Sequence, residues 1–173
     1  MARILVTVGM GPWPFDRLIR ALGPLCAEHE VFAQTGTSAV TPPCPHKQFI
    51  GFSDLQERIV TAEVIITHAG NTVRLVQRAG KVPIAVARRA SLGEMGNDHQ
   101  VAYLQREERT GPVVAVWEPD DLQPAVTTHA ARQAQLLRER PLPPAAAPDQ
   151  LIHTLDTLCA RLCRGGRHGR WAR

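Results

Sequence analysis

The sequence predicts an α/β domain built on a single doubly wound parallel sheet, and three observations predict it. Short apolar, β-branched runs alternate with amphipathic stretches along the chain, which is the pattern of strands buried between helices. The segment Val64–Ala87 reads as a complete βαβ unit: Val64-Ile65-Ile66, a turn at Thr67-His68-Ala69-Gly70, a helix, then Pro83-Ile84-Ala85-Val86-Ala87. Glycine turns follow the first strand and this central one, and adjacent parallel strands bring both turns to one sheet edge. At 173 residues, 44% hydrophobic and 21% charged, the chain is one soluble globular domain with no room for a second.

The elements follow in order. Arg3–Val8 is a strand ending in Gly9-Met10-Gly11, and Pro12-Trp13-Pro14 leads into a helix over Phe15–Glu28 with Phe15, Leu18, Ile19, Leu22 and Leu25 inward. Val31–Gln34 is a second strand, Thr41–Pro45 is irregular, and Phe49–Phe52 is a third strand or an apolar loop. Ser53-Asp54-Leu55-Gln56 is a capping box for a helix to Thr61. In the central helix, Asn71–Ala79, Val73, Leu75, Val76 and Ala79 make the apolar side, and Arg74, Gln77 and Arg78 take the other positions. Gly80 ends it in a left-handed conformation.

A long polar loop, Arg88–Asn97, follows the Pro83–Ala87 strand; Asn97 or Asp98 caps a helix over Gln100–Arg109, and Val113–Val116 is a strand. Glu118–Leu122 opens a helix toward Arg138. The body therefore spans 1–140, followed by a Pro/Ala linker at 141–148, an amphipathic helix at 149–164 capped by Asp149, and a basic tail at 165–173. Leu151, Leu155, Leu158 and Leu162 make one stripe on that helix. Trp13 and Trp117 are core or rim aromatics.

Charge and cysteine content narrow the classes. The net charge is +4, but Arg161, Arg164, Arg167, Arg170 and Arg173 supply five positive charges in the last thirteen residues, so the body is near −1. A nucleic-acid face on the body is thereby excluded. No signal peptide or transmembrane length is present, so the expected compartment is the cytoplasm, and Cys26, Cys44, Cys159 and Cys163 are expected as free thiols.

The chemistry concentrates at the central turn. The first amides of a helix lack intrahelical partners and carry the positive end of its dipole, so a glycine-containing strand-to-helix turn receives phosphate or carboxylate. His68 sits at the strand's carboxyl end with an N–H or a positive charge to offer, and Asn71 and Thr72 add donors.

These residues resemble a known family. The His-Ala-Gly turn at 68–70, the Gly-Lys-x-Pro approach at 80–83 and the Gly-Glu-x-x-x-Asp-His-Gln ending at 93–100 resemble the donor-binding, carboxyl-terminal half of family 28 glycosyltransferases of the GT-B fold. The stand-alone PssE-type small subunits are the nearest in form, and the resemblance runs over about Arg3–Leu122. It implies a Rossmann-like half of a GT-B enzyme and an inverting transfer of a hexose-type sugar from a UDP-sugar, with no metal or cofactor. It also implies that Gly9, Met10 and Gly11 line the diphosphate, that Thr67, His68, Gly70, Asn71 and Thr72 contact it, and that Asp98, His99 and Gln100 face the sugar.

His68 and Glu94 are the catalytic candidates on this chain. The resemblance places the acceptor, and usually the base, on a partner, typically a membrane-associated subunit holding a lipid-linked acceptor; the arginine tail would meet anionic lipid. Two positions depart from the family: Val76 stands where an acidic residue often holds the ribose, and Met10 where Thr or Ser is common. A non-catalytic nucleotide-sugar-binding scaffold, or a flavodoxin-like domain for another phosphate ligand, are the alternative readings.

Overall fold

Apolar strands with no polar face must be covered on both sides, and the fold does this with three layers. The structure, a computed structural model, describes residues 1–142, 153–155 and 157–159. These fall in two compact units, Met1–Pro143 and Pro144–Arg173. In the second unit His153–Leu155 and Thr157–Cys159 are helical, with Leu155 and Leu158 exposed. Most of the expected linker, the Asp149 cap, Leu151, Leu162, Cys163 and the arginine tail lie outside the described residues.

The first unit holds one six-stranded sheet of β1 (Arg3–Thr7), β2 (Glu30–Gln34), β3 (His46–Lys47), β4 (Val64–His68), β5 (Ile84–Val86) and β6 (Val114–Val116). Every pair is parallel, in the order β3-β2-β1-β4-β5-β6. One face is covered by α1 (Asp16–Arg20), α2 (Gly23–Glu28), α6 (Leu122–Thr127) and α7 (His129–Glu139) over a core that includes Val6, Ile66, Phe15, Leu18, Leu22 and Leu122. The other is covered by α3 (Phe52–Thr61), α4 (Asn71–Arg78) and α5 (His99–Thr110), through Ile59, Val73, Val76 and Leu104. The expected α/β doubly wound sheet is therefore observed. Among the described residues no helix is long and apolar enough to cross a membrane.

Several boundaries differ from the sequence reading, each for a local reason. The helix expected over Phe15–Glu28 is two helices, because Pro24 has no N–H to continue the ladder and its ring crowds the carbonyl one turn back. The helix expected from Glu118 to Arg138 is a 3-10 turn at Pro119–Asp121 followed by α6 and α7. There the hydroxyls of Thr127 and Thr128 donate back to the carbonyls of Gln123 and Pro124.

The third strand is His46–Lys47 and not Phe49–Phe52, and α3 starts at Phe52 behind Gly51 with no side-chain cap. The capping box is not formed; Asp54 instead pairs with Arg58 at 2.6 Å. Gln77, expected on the outer side of α4, is fully buried and donates to Glu107 and the Pro112 carbonyl. Cys26, Cys44 and Cys159 are free thiols, as expected.

Lys81 fixes the approach to the central strand. Its ammonium donates to the carbonyls of Ile59, Val60 and Ala62 at 2.8, 2.6 and 2.6 Å, closing the carboxyl end of α3 just before β4. Lys81→Met is expected to lower stability by about 2 kcal/mol, since it removes three charge-assisted bonds at the carboxyl end of α3. Urea unfolding monitored by circular dichroism checks this, with an unchanged m-value separating lost stability from lost structure.

Candidate functional site

The strand order reverses between β1 and β4: the chain winds outward from β1 through β2 and β3, then crosses to β4 on β1's other side. At such a switch point the following helices diverge to opposite faces and leave a crevice at the carboxyl edge. Here α1 follows β1 onto one face and α4 follows β4 onto the other. Thr7 pairs in register with Thr67, so the Gly9 loop and the His68 turn emerge side by side.

His68 is the centre of that edge. A Cβ placed on Gly9 would lie 2.8 Å from its Cε1, and one placed on Gly70 would collide with its Nε2. The imidazole is thus held between two glycine backbones, and Gly9 also has φ +81°, a conformation side chains rarely adopt. These two glycines make room first for the histidine; Gly11, with open space where its Cβ would be, is the one whose backbone is free to be approached. Burial, and after it the nearby charge of Arg88, push the His68 pKa down from 6.5 to about 4. In the free protein at neutral pH it is a neutral imidazole offering one N–H, not a cation.

The helix behind the turn is left uncapped. Gly70 is the N-cap of α4 and provides no side-chain hydrogen bond, so the first-turn amides of Asn71 and Thr72 have neither an intrahelical partner nor a cap. Next to them, Thr67 Oγ1 and His68 Nδ1 are buried without a hydrogen-bond partner. Buried orphan atoms of this kind are rare in folded proteins and are informative where they cluster.

Gly9, Met10, His68, Asn71 and Thr72 line a cleft of about 320 Å³ whose far wall is Ile50, Phe52 and Leu55. Thr67 is fully buried beneath it. Two residues not singled out in the sequence complete the frame. Gln34 Oε1 accepts from the Thr7 hydroxyl and the Gly9 amide at 2.7 and 3.0 Å, while its Nε2 donates to the carbonyls of Gly9 and Gln48 at 2.8 and 2.9 Å. Arg88, just beyond β5, is buried and donates to the carbonyls of Val8 and Trp13. Their partners lie 14 to 80 residues away in sequence, so no local pattern marks them.

The loop after β5 departs from expectation. Glu94, the candidate base, is buried, and both its oxygens are occupied: Oε1 accepts from Arg17 Nε at 2.9 Å, and Oε2 accepts from an Arg17 terminal nitrogen and the Arg89 amide at 3.1 and 3.0 Å. It ties the loop to α1. Gln100 is buried too, its Oε1 accepting from the Arg88 amide, so it does not face a sugar. Asp98 accepts from the Ala90 amide and closes the same loop. His99 is exposed at the start of α5, within reach of His68 electrostatically.

Two outcomes follow for His68. Its folded pKa is lower than its unfolded one, so the unfolded chain binds the extra proton first as pH falls; stability is full above about 6.5 and is lost down to about 4. The loss amounts to up to about 3 kcal/mol at 1.36 kcal/mol per unit. Burial lowers the His129 pKa as well, so the His68 share is the difference between wild type and His68→Gln in thermal melts across that window. In a second test, Gly70→Ala is expected to cost about 2 kcal/mol in the wild type and well under half of that in a His68→Ala background, because the colliding ring is gone. Equal costs in the two backgrounds would show that the ring does not dictate the glycine.

No known family model and no curated protein matches the sequence. Among solved structures the chain is similar to the spinosyn forosaminyltransferase SpnP, at 18% identity over 92% of this chain and 44% of that one, with a TM-score of 0.55. It is also similar to the glycosyltransferase SnogD from Streptomyces nogalater, at 21% identity over 91% of this chain and 44% of that one, with a TM-score of 0.50. The chain therefore spans less than half the length of either. At these identities the likeness is one of fold alone: a Rossmann-like, doubly wound parallel sheet.

Proposed function

We propose that this chain is the donor-binding half of an inverting glycosyltransferase that takes a hexose-type sugar from a UDP-sugar. The observation that carries the reading is the switch-point cleft, where the uncapped start of α4, the Gly9 loop and the orphaned polar atoms of Thr67 and His68 converge. A diphosphate fits that set of donors: the amides of Asn71 and Thr72, their side chains and the His68 N–H. Ile50, Phe52 and Leu55 offer an apolar wall for the base, and the acidic ribose contact has no counterpart at Val76.

In this reading the acceptor oxygen attacks the anomeric carbon from the side opposite the diphosphate. The carbon–oxygen bond to the diphosphate breaks, the electron pair leaves with UDP, and the hydroxyl proton passes to a base on a partner chain. The dipole of α4 and the neutral His68 N–H stabilise the charge growing on the leaving group. Glu94, already bonded at both oxygens, is not given the base role. The partner would be a membrane-associated subunit presenting a lipid-linked acceptor. Support comes from the exposed apolar side chains of Met10 and Phe52, which line the cleft.

Three charge-assisted bonds give about 5 to 9 kcal/mol gross, which association costs reduce to weak binding by a half-site. Protein-detected NMR titration with UDP, ADP and GDP is therefore the test. The expected result is millimolar, UDP-preferring binding with shifts at Gly9, Asn71 and Thr72, weakened at least tenfold by His68→Ala. Equal response to all three nucleotides, or shifts elsewhere that survive His68→Ala, would overturn the reading.

A further inference from the structure

Arg88 is a cation buried just beyond β5. It is 3% exposed, and one terminal nitrogen donates to the carbonyls of Val8 and Trp13 at 2.8 and 3.2 Å. Those two residues flank the loop of Gly9, Met10, Gly11 and Pro12 on either side. The guanidinium stacks over Phe15 at 4.8 Å, its Nε is buried without a partner, and its own backbone amide is held by Gln100. The acid whose charge bears on it, Glu94, is already engaged by Arg17 in two bonds.

Burying a cation this way costs several kcal/mol, and two carbonyls need only a neutral donor to be satisfied. The charge is therefore in excess of what the loop requires. It sits under the edge where His68 and the start of α4 present their donors. We infer that Arg88 is a positioning residue of the donor site: its guanidinium joins the two ends of the Gly9–Pro12 loop and places a fixed positive charge beneath the diphosphate position without contacting it. This rests on the donor-site reading above.

Burial also explains why an arginine serves here. Its pKa is lowered only to about 10, so it stays charged at neutral pH. Among the described residues the charged groups that bear on His68 are Arg88, from the end of β5, and His99, from the start of α5. Arg88 is the larger of the two influences and favours the neutral imidazole.

The test uses Arg88→Met and Arg88→Lys in the full chain, with the His68 ring titration and the Gly9 to Trp13 amide shifts read by NMR before nucleotide is added. In Arg88→Met the His68 midpoint is expected to rise above about 4 while burial still holds it below 6.5, the loop amides to shift, and UDP to bind at least tenfold more weakly. Arg88→Lys keeps the charge but loses the fork, so the His68 midpoint is expected to hold while the loop amides move and UDP binding weakens severalfold. The His68 titration thus reads the charge of residue 88, while the loop amides and UDP affinity read the loss of its fork.

A folded Arg88→Met with wild-type His68 midpoint and loop amides overturns the inference. If Arg88→Met does not fold, Arg88→Lys decides: unchanged loop amides and UDP affinity overturn it. Should the wild type bind no UDP, the donor reading fails separately, and the nucleotide-free His68 midpoint and loop amides still decide the positioning role.

Discussion

The imidazole of His68 fills the space that a β-carbon would need at both Gly9 and Gly70, and much of the carboxyl edge of the sheet is arranged around that fact. Because position 70 must be glycine, α4 begins without the Ser, Thr, Asp or Asn cap that would otherwise stabilise its first turn. The amides left open there are the best anion-receiving groups on the edge. Because position 9 must be glycine with positive φ, the loop after β1 needs outside support. Gln34 supplies it by bonding both the amide and the carbonyl of Gly9. A single ring thus requires two glycines, and the two glycines require an uncapped helix on one side and a carboxamide clamp on the other.

The sheet makes this arrangement rigid. β1 lies between β2 and β4, so the loop with Gly9 is anchored by a strand that is hydrogen-bonded on both sides. Thr7 sits opposite both Gln34 and Thr67, which fixes the clamp, the loop and the turn at one level. Divergence of α1 and α4 to opposite faces then leaves the crevice that the strand order requires. The loop after β5 is held separately, by Glu94 between Arg17 and Arg89, and by Asp98 on the Ala90 amide. Its acidic and amide side chains are spent on holding the loop, which is why residues expected at a sugar became internal bonds.

What was legible in the sequence was local. The βαβ unit, the two glycine turns and the left-handed Gly80 all announce themselves within a few residues, because apolar periodicity and special backbone conformations are short-range properties. Helix breaks at Pro24 and Thr128 were readable in principle from proline and hydroxyl chemistry, yet the apolar stripe carried across them and hid them. The partners of Gln34, Arg88 and Glu94 were not readable, since each bond closes only after the sheet order brings distant segments together. His68 was found for its place at a strand end; that its ring explains both glycines is a packing relation no spacing rule contains.

The charges of the site bear on how it would work. Among the described residues no lysine or arginine lines the cleft; the fixed positive charge that bears on His68, Arg88, is buried behind the glycine loop, and His68 itself is neutral in the free protein. A diphosphate held by amide dipoles and one imidazole N–H is bound weakly when its charge is shared with the sugar. As the glycosidic bond lengthens, charge accumulates on the oxygens facing those dipoles, and their stabilisation grows with it. On the proposed reading, a site built of preorganised dipoles over a buried cation would favour the departing diphosphate over the intact donor, which is the difference in binding that lowers a barrier. The weak donor affinity proposed for this chain would then be a consequence of a site shaped for the leaving group.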